Sequence, residues 1–275
     1  MTDAPAPVVC CDLDGVVWRG EASIPGSADA LHALRAAGWR IAFVTNNSSL
    51  RVADYVERLE GHGIRAAPDE MCTSAQAAAV VVAAKVPAGA SVLACAGPGV
   101  VEALESCGLH AVDAPPADAV VVGFHRDFDF EGLTRAADAV RAGALYVATN
   151  LDPTYPVPDG MIPGAGALAA AVSTASSRSP VVAGKPERPM ADLVRSRYGH
   201  RGVVVGDRPS TDGAFAHTLG WPFALVMSGV AGSAGGEPVP DPAPPFVAAD
   251  LAALVPMLGP PDPVPASDAK APTGN

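Results

Sequence analysis

The chain has 275 residues, 49% hydrophobic and only 17% charged, which excludes a disordered chain and allows a sizeable core without staples. A net charge of −11 and the lack of any basic run argue against a nucleic-acid groove that tracks phosphates. No apolar run approaches a membrane span, and the opening Met-Thr-Asp-Ala-Pro stretch lacks the basic and apolar segments of a secretory signal.

Taken in order, Val8–Leu13 reads as a strand, Ser27–Ala37 as a helix, Arg40–Thr45 as a strand and Ser48–Leu59 as a helix. Ser74–Lys85 reads as a helix capped by Ser74. A second series follows: strand Ser91–Ala94, helix Pro98–Cys107, strand Ala119–Val122, helix Glu131–Ala142, strand Leu145–Ala148 and helix Gly166–Thr174. The third holds strand Val181–Ala183, helix Pro189–Tyr198, strand Gly202–Val205, helix Asp212–Leu219 and strand Phe223–Val226. Strands without polar alternation, separated by helices, indicate a parallel sheet covered on both faces, so the class is α/β. Ala231–Pro245 is a Gly/Pro-rich loop, and the Pro/Ala/Asp-rich tail from Gly259 reads as disordered. The five cysteines (Cys10, Cys11, Cys72, Cys95 and Cys107) have no C-x-x-C spacing. They read as buried reduced thiols of a cytoplasmic protein, not as zinc ligands or a disulfide framework.

Four strands end in chemistry-bearing groups. Asp12 and Asp14 follow Val8–Cys11 directly, at the carboxyl end where open parallel sheets bind ligands. Two close carboxylates repel unless a cation or a shared proton relieves them; the alternative is a pair of turn residues. Thr45, Asn46, Asn47 and Ser48 end the next strand with a hydroxyl, amides and free N–H groups suited to an anion, or with an ordinary helix cap. Lys185, between Gly184 and Pro186, could neutralise phosphate or carboxylates, or stand solvated in a turn. Asp207 follows the strand Gly202–Val205 and Gly206 and is able to ligate a hard cation such as Mg²⁺; Asp212, five residues on, caps the following helix, orients a ligand or holds Lys185.

Together the four sites resemble the haloacid dehalogenase (HAD) superfamily, whose motifs D-x-D, T/S, K and G-D-x-x-x-x-D occur here in that order. Further segments are similar to its NagD-like, 4-nitrophenylphosphatase-like branch: Asp12-Leu13-Asp14-Gly15-Val16-Val17-Trp18, Thr45-Asn46-Asn47-Ser48, Thr73-Ser74-Ala75, Ala148-Thr149-Asn150-Leu151-Asp152-Pro153, Pro163-Gly164-Ala165-Gly166 and Gly184-Lys185-Pro186. The resemblance spans about Val8 to Gly229.

It implies a doubly wound core of residues 1–85 and 180–258, with a smaller α/β cap inserted at 86–179 and a tail from 259 to 275. It also implies a Mg²⁺-dependent phosphatase acting on small phosphomonoesters through an aspartyl-phosphate. Candidate substrates are 4-nitrophenyl phosphate, phosphoglycolate, glycerol phosphate, pyridoxal phosphate or a nucleotide. A phosphomutase, or a silent binding or regulatory protein on the same fold, is the alternative. By the resemblance Asp12 is the nucleophile and Asp14 the general acid and base. Mg²⁺ sits between Asp12, the Asp14 carbonyl and Asp207, with Asp212 supporting the metal or Lys185. Thr45, Asn46, Asn47 and Lys185 bind the phosphoryl group, and Phe124 and Tyr155 line the leaving-group pocket. The partner is a small phosphorylated metabolite, with no nucleic acid or membrane and with a homodimer through the cap by analogy. The chain departs from the common last motif at Pro209 and Gly213, which alter the start of the following helix.

Overall fold

Apolar β-branched runs buried on both faces favour parallel strands whose alternate side chains feed two separate helical layers. The computed structural model describes residues 6–157 and 160–261, so most of the expected disordered tail, residues 262–275, lies outside the described residues. The first sheet has six parallel strands in the order Phe246–Ala248, Phe223–Val226, Gly202–Gly206, Val8–Cys11, Arg40–Thr45 and Met71–Thr73. On one face Val9, Cys11, Ile41, Phe43, Val203 and Val205 pack with residues of the helices Ser27–Ala36, Val52–Gly61 and Leu251–Leu258. On the other face Val8, Cys10, Ala42, Val44 and Val204 join Met190 and Val194 of the helix Arg188–Tyr198 and the Ala/Val side chains of the helix Ser74–Ala83.

A second sheet has five parallel strands in the order Val181–Val182, Leu145–Ala148, Ala119–Val122, Ser91–Cys95 and His110–Val112. Its Val92, Val121 and Val147 belong to the same apolar cluster as Val8, Val44 and Ala78, so the helix Ser74–Ala83 is buried between the two sheets. A hairpin, Thr154–Val157 with Gly160–Pro163, extends from the second unit, and a smaller one, Trp18–Arg19 with Ala22–Ser23, follows Asp14.

The structure therefore has the α/β class and parallel sheets expected from the sequence, with local differences. Val181–Val182 pairs with Leu145–Ala148 in the second sheet and not with the first, so the chain returns to the first sheet later than expected. Thr73, not Ser74, caps the helix Ser74–Ala83: its hydroxyl accepts from the Gln76 N–H while the Gln76 side chain accepts from the Thr73 N–H. Asp212 does not start a helix. Pro209–Gly213 forms one π-helical turn that runs directly into the α-helix Ala214–Leu219. Cys10, Cys11, Cys72 and Cys95 are buried thiols, but Cys107 is exposed at a helix end. No helix among the described residues is long and apolar enough to cross a membrane.

Candidate active site

The central strand Val8–Cys11 delivers Asp12 to the carboxyl edge of the first sheet, where its N–H still donates to Val205 O at 2.9 Å. Lys185 Nζ lies 2.7 Å from Asp12 Oδ1 and 2.7 Å from Asp212 Oδ1. The three side chains are nearly closed off, with 4%, 12% and 1% of their surface exposed for Lys185, Asp12 and Asp212. Burial pulls Lys185 down, but the two carboxylates outweigh it and hold the ammonium above the ordinary lysine range.

The loop carrying Lys185 is fixed by Asn46. The Asn46 side chain accepts from the Lys185 N–H at 2.7 Å and donates to the Lys185 carbonyl at 3.0 Å and to Asp152 Oδ2 at 3.0 Å. Gly184 allows this approach, since a Cβ there would lie 2.5 Å from Asn46 Oδ1 and 2.5 Å from Thr149 O.

Asp207 completes a cluster in which one carboxylate oxygen each of Asp12, Asp207 and Asp212 lies within 4.8 Å of the others. Asp207 Oδ2 accepts from the Val230 N–H at 2.6 Å, while its Oδ1 is buried with no hydrogen-bond partner among the described residues. Gly15 and Gly229 flank it so closely that a Cβ would stand 2.3 Å and 2.0 Å from Asp207 Oδ2. Burial pushes Asp207 up to about 7, with the neighbouring Asp212 adding to the shift. Burial likewise raises Asp12 well above the usual carboxylate range, opposed by Lys185. Three crowded carboxylates with one ammonium and an orphaned buried oxygen form an all-oxygen donor set that fits a hard divalent cation.

Asp14 points elsewhere. Its Oδ1 accepts from Trp18 Nε1 at 3.1 Å and from the Tyr155 hydroxyl at 3.4 Å. Burial raises its pKa, opposed by Arg58 and by these two donors. Arg58 stacks 4.1 Å from the centre of the Trp18 ring, whose side chain is fully buried. Tyr155 also accepts from Asn47 Nδ2 at 3.3 Å, and its ring centre is 5.1 Å from that of Phe124. The Thr45 hydroxyl accepts from the Asn47 N–H at 3.1 Å.

Most of these residues, though not Trp18, Arg58 or Asp212, open onto one cavity of about 620 Å³ between the two sheets, which Arg19, Asp152, Met161 and Arg208 also line. The structure thus brings together Asp12, Asp14, Thr45, Asn46, Asn47, Phe124, Tyr155, Lys185 and Asp207 at its wall, with Asp212 behind Lys185. Asn46 departs from the expected phosphoryl contact, because its side-chain amide is taken up by Lys185 and Asp152. The Asp14 carboxylate stands outside the three-carboxylate cluster, so it offers no side-chain ligand there. Sequence reasoning gave no role to Trp18, Asp152 or the Val230 N–H. The first two lie inside quoted motifs, while a backbone N–H leaves no signal in residue type.

The pattern of haloacid dehalogenase-like hydrolases matches residues 9–110, and the HAD-hydrolase-like pattern matches residues 182–254. A p-nitrophenyl phosphatase from Archaeoglobus fulgidus superposes with a TM-score of 0.81 at 31% identity, covering 93% of this chain and 100% of that one. The chain belongs to the HAD-like hydrolase family. A glycerol phosphate phosphatase from Mycobacterium tuberculosis, solved in complex with magnesium, superposes with a TM-score of 0.83 at 34% identity, covering 93% of this HAD-like hydrolase and 79% of that chain. A D-glycerol 3-phosphate phosphatase of the same organism is 38% identical over 224 residues, or 80% of this chain. The hydrolase spans 62% of that relative's length.

Proposed function

We propose that this hydrolase is a Mg²⁺-dependent phosphatase of small phosphomonoesters, with glycerol phosphate as its first candidate substrate. The observation that carries the reading is the Lys185 ammonium shared between Asp12 and Asp212 beside the unpartnered Asp207 Oδ1. The magnesium-bound mycobacterial phosphatase of similar fold supports the choice of metal, and the mycobacterial matches in fold and in sequence support the choice of substrate.

Asp12, Asp207 and the Asp14 carbonyl would hold the ion, with Asp212 behind them. When bound, it supplies charge neutralisation for the phosphoryl oxygens. Asp12 keeps Oδ1 on Lys185, so its other oxygen is the one that bonds to phosphorus. As that bond forms, the bond between phosphorus and the alcohol oxygen breaks, and Asp14 gives the departing oxygen its proton. Burial favours the protonated form of Asp14 that this step needs. The Asp14 carboxylate then takes a proton from a water that attacks the aspartyl-phosphate, releasing phosphate and restoring Asp12. The Thr45 hydroxyl and Lys185 bind phosphoryl oxygens throughout. Residues 91–182 act as the cap, and Phe124, Tyr155 and Met161 place apolar surface around the alcohol. The cavity volume, about 620 Å³, suits a small ligand.

The test is a panel of phosphomonoesters assayed with and without Mg²⁺, with Asp12→Asn as control. Phosphate release from glycerol phosphate that needs Mg²⁺ and disappears in Asp12→Asn is expected. Release undiminished in Asp12→Asn would overturn the mechanism.

A further inference from the structure

Asp14 is held from two sides, and both donors use the same oxygen. Trp18 Nε1 reaches Oδ1 at 3.1 Å from within the first unit, on the segment that follows Asp14 itself. The Tyr155 hydroxyl reaches the same Oδ1 at 3.4 Å from the hairpin of the second unit, 141 residues away in sequence. Asn47 Nδ2 donates to the Tyr155 oxygen, so the hydroxyl proton is directed onward to Asp14. Among the described residues nothing donates to Asp14 Oδ2, and Asp14 lines the cavity.

We infer that Tyr155 is a positioning residue for the general acid: with Trp18 it occupies Oδ1, so that Oδ2 faces the cavity and carries the proton that is transferred. This rests on the role given to Asp14 above. A carboxyl with one oxygen engaged by two donors cannot turn without breaking both bonds, and the proton it bears is then confined to the other oxygen. Trp18 does this whatever the second unit does. Tyr155 does it only while its hairpin sits on the site, and its longer bond makes its share the smaller one. The chain Asn47–Tyr155–Asp14 therefore links the seated hairpin to an acid aimed at the leaving group.

The distinguishing readout is leaving-group dependence. An alkoxide such as that of glycerol must be protonated as it departs, whereas 4-nitrophenolate leaves readily as the anion. kcat/KM reports the steps up to departure, so water attack on the intermediate does not enter it. Tyr155→Phe removes one oxygen and keeps the ring against Phe124. It is expected to lower kcat/KM for glycerol phosphate about tenfold, and that for 4-nitrophenyl phosphate by less than about twofold. Asp14→Asn sets the scale with a larger asymmetry of the same sign, and thermal melts of both variants confirm folding. Asymmetry in Asp14→Asn with equal losses in Tyr155→Phe overturns the inference alone. A rise in KM for both esters at unchanged kcat in Tyr155→Phe does the same, making the tyrosine a wall of the pocket. Equal losses for both esters in Asp14→Asn overturn the role of Asp14 as acid as well.

Discussion

Asn46→Ala separates two accounts of the residue after Thr45. In the structure its amide satisfies both backbone groups of Lys185 and one oxygen of Asp152, at 2.7, 3.0 and 3.0 Å. Lys185 is buried, so the alanine variant leaves its N–H and carbonyl without partners where water is scarce. Unpaired buried groups cost about 1–3 kcal/mol each, so a loss of roughly 2–4 kcal/mol is expected, with one group partly rescued by water. For a chain of this size that lowers Tm by roughly 5–10 °C. The ammonium of Lys185 loses its anchor as well, and misplacement of a charged group by about 1 Å costs on the order of 10²-fold in kcat/KM. Differential scanning fluorimetry without substrate and steady-state kinetics with glycerol phosphate measure the two effects. A variant with native Tm and a raised KM would refute the clamp and return Asn46 to direct contact with the phosphoryl group.

Asp207→Asn removes charge from the crowded cluster, so it should abolish the Mg²⁺-induced rise in Tm and the Mg²⁺-dependent activity without lowering the Tm of the metal-free protein; a persisting Mg²⁺ response would contradict the assignment. In the wild type burial pushes Asp207 up to about 7, above its unfolded value. Its stabilising contribution to the metal-free protein is therefore complete below about pH 4 and lost as pH rises through about 7. Mg²⁺ needs the anion, so the Tm gained from saturating Mg²⁺ should be larger at about pH 8 than at about pH 5.5, and an equal gain would exclude this linkage. In Gly229→Ala the new Cβ falls 2.0 Å from Asp207 Oδ2 and must displace it, so calorimetry should find the Kd for Mg²⁺ raised about tenfold or more.

Much of this arrangement was legible because burial on both faces writes uninterrupted Val, Ile and Ala into the central strands, and the polar residues that end them stand out. Val8–Cys11 into Asp12, Arg40–Thr45 and Gly202–Gly206 into Asp207 are of that kind. Edge strands of three residues, such as Met71–Thr73, His110–Val112 and Phe246–Ala248, carry too few residues for a period to show. The family resemblance places Val181–Ala183 in the core, yet partner choice belongs to tertiary packing, which set Val181–Val182 against Leu145–Ala148. Asp212 reads as a helix start or as a holder of Lys185, and the second reading matches the structure: its carboxylate holds Lys185 and the Arg208 N–H at 3.2 Å, and the π-helical turn Pro209–Gly213 accommodates that geometry. Asn46 showed the right residue type for an anion site, but nothing in the sequence reveals that its amide meets the Lys185 carbonyl and Asp152.

The burial of Ser74–Ala83 between the sheets bears on how relatives of this chain recombine. A graft that takes residues 91–182 from another phosphatase brings a foreign Val92, Val121 and Val147 against this chain's Ala75, Ala78 and Val82. Small side chains in that seam leave little slack: an added methylene has no solvent to turn toward. Transplanting substrate preference by exchanging the inserted unit therefore succeeds when the alanine-rich helix travels with it, and otherwise yields chimeras whose melting temperature falls before their selectivity changes.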